Sequence, residues 1–174
     1  MPTLYLIGMM GSGKSTLSRL LSRMVRVPAV DLDDALVAAD GRSIPEIFAA
    51  DGESGFRKLE TRILEQVAGK RQIVATGGGI ITTPENIRIM RSSGTVIWLR
   101  RTVSDILRDI HPEGRPKLAG DPEGRLRRLA AEREALYRAC AHLEFDNHGQ
   151  PEDCARALSA LPELRECLQL PPLS

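Results

Sequence analysis

Aromatic residues, lysines and cysteines are scarce in this sequence, and it has no long hydrophobic run. Six of the 174 residues are aromatic, too few for the stacking platform with which proteins bind single-stranded nucleic acid. The longest stretches without a charged residue, Met1–Gly13 and Gln72–Pro84, span 13 residues each, whereas a membrane-spanning helix needs about 20 apolar ones. Met1–Gly13 also lacks the basic leader and cleavage site of a secretory signal. We therefore expect a cytoplasmic protein that binds neither RNA nor membranes.

Charge and cysteine content narrow the possible ligands. The 24 Lys and Arg residues nearly balance the 23 Asp and Glu residues, and no long block of one sign would attract a nucleic acid backbone. Only four of the basic residues are lysines, and the planar guanidinium of arginine suits carboxylates and phosphates. The three cysteines form no C-x-x-C pair, which argues against a disulfide framework or a zinc site. The composition therefore favours small anionic ligands.

Short β-branched segments alternate with longer segments of helical spacing, within a length that suits a single domain over 1–174. The predicted strands are Leu4–Ile7, Val27–Asp31, Gln72–Thr76, Thr95–Arg100 and His142–Asp146. The predicted helices are Lys14–Val25, Asp33–Asp40, Ser43–Ala50, Gly55–Ala68, Thr102–Ile110 and Gly124–Cys140, with a closing helix after Gln150. This order predicts an α/β fold whose mainly parallel sheet is covered on both faces and binds ligands at the carboxyl ends of its strands.

The segment after the first predicted strand has the pattern of a phosphate-binding loop. Gly8-Met9-Met10-Gly11-Ser12-Gly13-Lys14-Ser15 fits G-x-x-x-x-G-K-[ST] and opens a helix. In such a loop consecutive N–H groups surround phosphate oxygens, and the helix N-terminus adds positive charge. We expect Lys14 to bind the β- and γ-phosphates, Ser15 to hold Mg²⁺ and Thr16 to contact the α-phosphate. The alternative is a glycine-rich turn that only joins strand to helix.

Several classes of nucleotide-binding protein share this loop, and other strand ends discriminate among them. A GTPase switch would carry Asp-x-x-Gly after its third strand and an Asn-Lys-x-Asp motif, but the third predicted strand ends in Thr76-Gly77-Gly78-Gly79 and no such motif occurs. A motor or helicase would need a longer chain with nucleic acid contacts. A small-molecule kinase is the class that remains.

The second predicted strand ends in a pair of carboxylates, Asp31 and Asp33. Strand alternation would place them on one face, about 6–7 Å apart. We expect Asp31 to hold Mg²⁺ through its waters, and Asp33 to orient the attacking hydroxyl and take its proton. An aspartate here could instead cap a helix, a role that we assign to Asp34.

Six groups of residues, in order, resemble shikimate kinase. They are Gly8–Thr16, Asp31-Leu32-Asp33, Asp51-Gly52-Glu53 with Gly55-Phe56-Arg57 and Glu60, Gly77-Gly78-Gly79, Arg115-Pro116, and Glu132-Arg133 with Leu136-Tyr137. The resemblance implies a three-layer P-loop kinase fold with five parallel strands in the order 2-3-1-4-5 and a mobile lid at about 109–122. It also implies transfer of the ATP γ-phosphoryl group to the 3-hydroxyl of shikimate, a step towards chorismate and the aromatic amino acids.

The resemblance also implies the roles of individual residues. Arg57, in an approximate substrate-binding segment 33–61, and Arg133 would bind the shikimate carboxylate, beside substrate-binding glycines Gly77, Gly78 and Gly79. Arg115 would close on the phosphates in the transition state. Arg108 would stack on the adenine, Pro151 would lie near the other side of the base, and Gln150 would contact the nucleotide. The plainer alternatives are a solvated helix face for Arg57 and Arg133, a flexible surface arginine for Arg115 and a simple turn for the glycines.

The implied enzyme uses ATP and Mg²⁺, binds shikimate and is expected to be a monomer. Two other functions remain open. One is a kinase of another small polyol carboxylate, and the other is a nucleotide-binding regulatory module without turnover.

Overall fold

Five parallel strands form one sheet in the computed structural model, which describes residues 2–109 and 121–171. The strands are β1 (Thr3–Ile7), β2 (Ala29–Asp31), β3 (Gln72–Ala75), β4 (Gly94–Arg100) and β5 (Leu143–Asp146). Their order in the sheet is β2-β3-β1-β4-β5, and every neighbouring pair is parallel. Strand order and fold class are therefore confirmed. All five strands deliver their carboxyl ends to the same edge, where ligands bind in such sheets.

Helices cover both faces of this sheet. They are α1 (Lys14–Val25), α2 (Leu32–Asp40), α3 (Ile44–Val67), α4 (Pro84–Ser93), α5 (Val103–Asp109), α6 (Pro122–Cys140), α7 (Pro151–Ala160) and α8 (Pro162–Cys167), with a 3₁₀ turn at Ile80–Thr82. The two helices predicted at 43–50 and 55–68 are halves of α3, which is kinked at Gly52, where φ is 69°. None of the helices in residues 2–109 and 121–171 combines the length and hydropathy that crossing a membrane requires.

The central strand contributes to two hydrophobic cores, one on each face of the sheet. Tyr5 and Ile7 of β1 pack in the core beneath α2, α3, α4 and α6. Leu4 and Leu6, which alternate with them, pack in the core beneath α1, α7 and α8. Because successive side chains of a strand point to opposite faces, a strand buried on both sides is a continuous apolar run. Buried on both faces, β1 sets the position of the loop that follows it.

The observed helices differ from the predicted ones in two further places. Helix α4 was not predicted, although Pro84 occupies its first turn and its buried residues Asn86, Ile89 and Met90 have helical spacing. The single closing helix is two helices, because Pro162 cannot continue α7 and instead begins α8.

Candidate active site

The phosphate-binding loop lies between β1 and α1, as predicted. Gly13 adopts a φ of 95°, and a Cβ there would lie 2.6 Å from Asn147 Nδ2. Only glycine meets both conditions without strain. Asn147, directly after β5, is buried and donates a hydrogen bond from Nδ2 to the Ser12 carbonyl oxygen at 2.8 Å. The residue that follows β5 therefore holds the loop in place through this hydrogen bond.

Lys14 is buried within this loop. Its ammonium donates to the carbonyl oxygens of Gly8 and Met9, both at 2.8 Å. Burial lowers the pKa of Lys14 to about 8, and the nearby carboxylates of Asp33 and Asp31 oppose that shift. The lysine is thus held at its own loop, near the charges of the acidic pair, and its predicted contact with the phosphates stays a prediction.

Asp31 connects the loop with the start of α2. Its Oδ2 accepts from the Ser15 hydroxyl at 2.5 Å, and its Oδ1 accepts from the backbone N–H of Asp33 at 3.1 Å. Asp31 is therefore the N-cap of α2, so the assignment of that role to Asp34 was wrong. The strand ends at Asp31 and the helix begins at Leu32, which places Asp34 inside the first turn.

Asp33 reaches the site from the first turn of a helix rather than from a strand, so the alternation argument for its position was wrong. Burial raises the pKa of the Asp33 carboxyl, and the negative charge of Asp31 adds to this shift. A Cβ on Gly77 would lie 3.1 Å from Asp33 Oδ1 and 3.2 Å from Glu60 Oε1. Asp33 and Glu60 therefore face the same glycine turn after β3.

Arg57 and Glu60 form an ion pair on one face of α3. Arg57 Nη1 donates to Glu60 Oε2 at 2.7 Å, and Glu60 is only 1% exposed. Burial raises the pKa of the Glu60 carboxyl, whereas the Arg57 charge lowers it. Glu60 Oε1 and Arg57 Nε are buried and have no hydrogen-bond partner within residues 2–109 and 121–171, so this pair has polar capacity left for a ligand.

Both predicted substrate-binding arginines contact the glycine turn. Arg133 Nη1 donates to the Gly78 carbonyl oxygen at 3.3 Å, and the Tyr137 hydroxyl donates to the same oxygen at 2.5 Å. A Cβ on Gly79 would lie 2.3 Å from Arg57 Nη2. We call the set Asp33, Arg57, Glu60, Gly77–Gly79 and Arg133 the acceptor cluster. It places two guanidinium groups and two carboxyl groups around one turn at the carboxyl edge of the sheet.

A second group of predicted residues lines a cavity of about 620 Å³ beside the loop, which we call the nucleotide cavity. The predicted residues in its wall are Gly13, Thr16, Arg108, Gln150 and Pro151. Arg108 is 73% exposed and pairs with Asp105 at 2.7 Å. Arg115 and most of the predicted lid, residues 110–120, lie outside the described residues.

Sequence reasoning gave no role to two residues that the structure places at the loop, Asn147 and Arg101. Arg101 Nη1 donates to the Gly11 carbonyl oxygen at 3.1 Å. Each follows a strand directly, Arg101 after β4 and Asn147 after β5. The rule that ligands meet strand ends could have identified both.

Comparisons with known proteins agree with this geometry. Residues 10–162 match the family model described as shikimate kinase. Shikimate kinase from Synechococcus sp. (strain RCC307) is 45% identical over 166 residues, which cover 92% of this chain and 85% of the relative. Shikimate kinase from Halorhodospira halophila (strain DSM 244 / SL1) is 40% identical over 169 residues, which cover 95% and 93%.

Solved structures show the same likeness. The structure of shikimate kinase from Acinetobacter baumannii in complex with shikimate superposes with a TM-score of 0.84 at 35% identity, covering 97% of this chain and 94% of that one. A match over most of the chain, together with relatives well above 30% identity, means that the protein belongs to the shikimate kinase family, as its motifs predicted.

Proposed function

We propose that this protein transfers the γ-phosphoryl group of ATP to the 3-hydroxyl of shikimate. The observation that carries the proposal is the acceptor cluster, in which Arg57 and Arg133 contact one glycine turn and Asp33 faces it. A small carboxylate bearing hydroxyls needs a cationic fork for its acid and acceptors for its alcohols. The phosphate-binding loop stands at the same edge of the sheet and would supply the donor.

Asp33 would orient the attacking hydroxyl and accept its proton. Because burial raises its pKa, its carboxylate is a stronger base than an exposed aspartate. As the hydroxyl oxygen bonds to the γ-phosphorus, the bond to the β-phosphate oxygen breaks, ADP leaves, and the hydroxyl proton passes to Asp33. Arg57, held by Glu60, and Arg133 would keep the acceptor carboxylate fixed during this transfer.

Lys14 would stabilise the negative charge that spreads over the phosphoryl oxygens. Its ammonium is already at the loop, where it donates to the Gly8 and Met9 carbonyls, and a phosphate would replace these acceptors. Such a fixed charge lowers the barrier because it need not reorganise during reaction. Arg115 is proposed to add a second charge, from outside the described residues.

Ser15 and Asp31 have the donor chemistry for Mg²⁺, since hydroxyl and carboxylate oxygens are the ligands that this ion prefers. The Ser15 hydroxyl oxygen and Asp31 Oδ2 are 2.5 Å apart. No cluster of three or more His, Cys, Asp or Glu side chains that could hold a metal occurs in the described residues. Two protein oxygens fit Mg²⁺, which keeps several waters. When bound, the ion would neutralise charge on the phosphates.

The remaining assignments complete the proposal. Thr16, Arg108, Gln150 and Pro151 would bind the nucleotide from the walls of the nucleotide cavity, together with the loop residues Gly11, Ser12 and Gly13. Residues 33–61 would form the substrate-binding segment and 109–122 the lid of a single domain. A monomeric state and a cytoplasmic location remain predictions.

A coupled assay of ADP release tests the proposed function. We expect rapid release with MgATP and shikimate, and only background release with gluconate or nucleoside monophosphates. Phosphorus and proton NMR of the product should show the phosphate on the 3-hydroxyl. Equal turnover with gluconate would instead indicate a kinase of polyol acids. ATP binding without turnover on any acceptor would indicate a regulatory module, a role that the presence of Lys14, Asp33 and Arg57 argues against.

A further inference from the structure

Arg101 is an arginine at the phosphate-binding loop that the reaction described above does not use. It follows β4 directly, at the edge of the sheet where the loop lies. Its side chain is 19% exposed, whereas that of its neighbour Arg100 is 44% exposed. Arg101 Nη1 donates to the Gly11 carbonyl oxygen at 3.1 Å, and its Nη2 pairs with Asp109 in the last turn of α5. The guanidinium thus lies between the loop and one carboxylate.

The charges around the nucleotide cavity make Arg101 distinctive. The titratable side chains in its wall are Arg101, Asp105, Arg108, Asp109 and His148. Arg108 extends into water and pairs with Asp105, which also contacts His148. Arg101 is therefore the more buried of the two arginines that line this cavity, and it is the one that contacts the loop.

The guanidinium of Arg101 is also incompletely paired. Its Nε is buried and has no hydrogen-bond partner among the described residues. A buried N–H without an acceptor is unfavourable, and a guanidinium offers several donors in a planar fork that matches phosphate oxygens. An anion in the cavity could occupy this remaining capacity. Asp109, which brings negative charge to the same cavity, would compete with that anion for the arginine.

We propose that Arg101 is a nucleotide-binding residue, which exchanges Asp109 for a phosphate oxygen of ATP while it continues to hold the Gly11 carbonyl. The inference depends on the nucleotide site of the proposed function but not on the acceptor. The inference predicts that substitutions of Arg101 and of Asp109, the two members of one ion pair, change nucleotide affinity in opposite directions. Loss of Arg101 weakens nucleotide binding, whereas loss of the Asp109 charge frees the arginine and strengthens it.

Calorimetric titration of the protein with ATP, ADP and AMP, in the presence of Mg²⁺ and without shikimate, tests this inference. We expect Arg101→Gln to raise the Kd for ATP and ADP about tenfold or more, since a hydrogen bond to a charged group is lost. The Kd for AMP should change less than about twofold, because the contact is to the polyphosphate. Asp109→Asn should lower the Kd for ATP about threefold, the scale of one partly exposed ion pair.

Arg100→Gln is the matched control, because Arg100 pairs with Glu144 and Asp146 and does not line the nucleotide cavity. It should leave all three affinities unchanged. Weaker ATP binding in Asp109→Asn would overturn the inference, as would an equal loss of AMP and ATP affinity in Arg101→Gln. The Asp109 arm decides the matter even if Arg101→Gln does not fold. A wild-type protein that binds ATP but does not phosphorylate shikimate would refute the proposed function and leave this test intact.

Discussion

Gly79→Ala is a single-methyl perturbation whose effect can be worked out from the acceptor cluster. The new Cβ would lie 2.3 Å from Arg57 Nη2 and 3.0 Å from its Cζ, whereas ordinary contact begins near 3.4 Å. The guanidinium must therefore move by about 1 Å. Gly79 has a φ of −98°, which alanine adopts without strain, so the backbone should not change. The methyl acts through Arg57.

A displacement of this size would stretch or break the 2.7 Å bond between Arg57 and Glu60 and misplace the fork that holds the acceptor carboxylate. Loss of one charge-assisted hydrogen bond costs about 1.5–3 kcal/mol, so we expect the KM for shikimate to rise about tenfold or more. The KM for ATP should stay within about twofold.

Steady-state kinetics of a double-mutant cycle provide the assay. In an Arg57→Ala background, Gly79→Ala should add little, because the group that the methyl displaces is gone. If Gly79→Ala raised the KM for shikimate equally in both backgrounds, the glycine would act through another contact and the reasoning would be refuted.

Three further predictions concern the reacting groups. Asp33→Asn should lower kcat at least about 100-fold and change the Kd for ATP little, as measured by rapid-quench kinetics and titration; equal losses would make Asp33 a binding residue. Arg133→Ala should raise the KM for shikimate about tenfold or more, whereas Arg127→Ala, on the exposed side of α6, should not; a normal KM would remove Arg133 from the site. Lys14 releases its proton at pH about 8 when folded but near 10.5 when unfolded, so the unfolded state binds more protons between these values and stability rises with pH there. Urea unfolding of the nucleotide-free protein measures this effect. Between pH 8 and 10 the free energy of unfolding of the wild type should rise by about 2–3 kcal/mol relative to that of Lys14→Met. A difference between the two proteins that stays constant with pH would contradict the burial of Lys14.

The sequence predicted the strands well because each is marked locally. β1 and β4 are apolar runs, and their predicted starts at Leu4 and Thr95 are within one residue of the observed ones. Parallel pairing then follows from the helices between strands. Helix α4 was missed because its apolar spacing is short and follows a glycine-rich segment that had been interpreted only as a ligand turn.

The acceptor cluster could be predicted as a set but not as a geometry. The family motif indicated Arg57, Arg133 and the glycines, but no spacing shows that both guanidinium groups contact the same turn. Asp33 was placed on a strand because the two-residue alternation of β2 was extended one step too far. A helix start signal was available at Asp31, because aspartate is a preferred N-cap residue, and the observed helix α2 begins at the next residue, Leu32.

The Asn147 amide joins residues that are 135 positions apart in sequence. During synthesis the loop at residues 8–15 emerges from the ribosome long before its last tether exists. Its carbonyl at Ser12 must remain in water until the edge strand has docked. The loop, which is among the first residues to be synthesised, thus acquires its hydrogen bond from Asn147, which is among the last. A fragment that stops before Asn147 would contain the loop sequence but not this hydrogen bond.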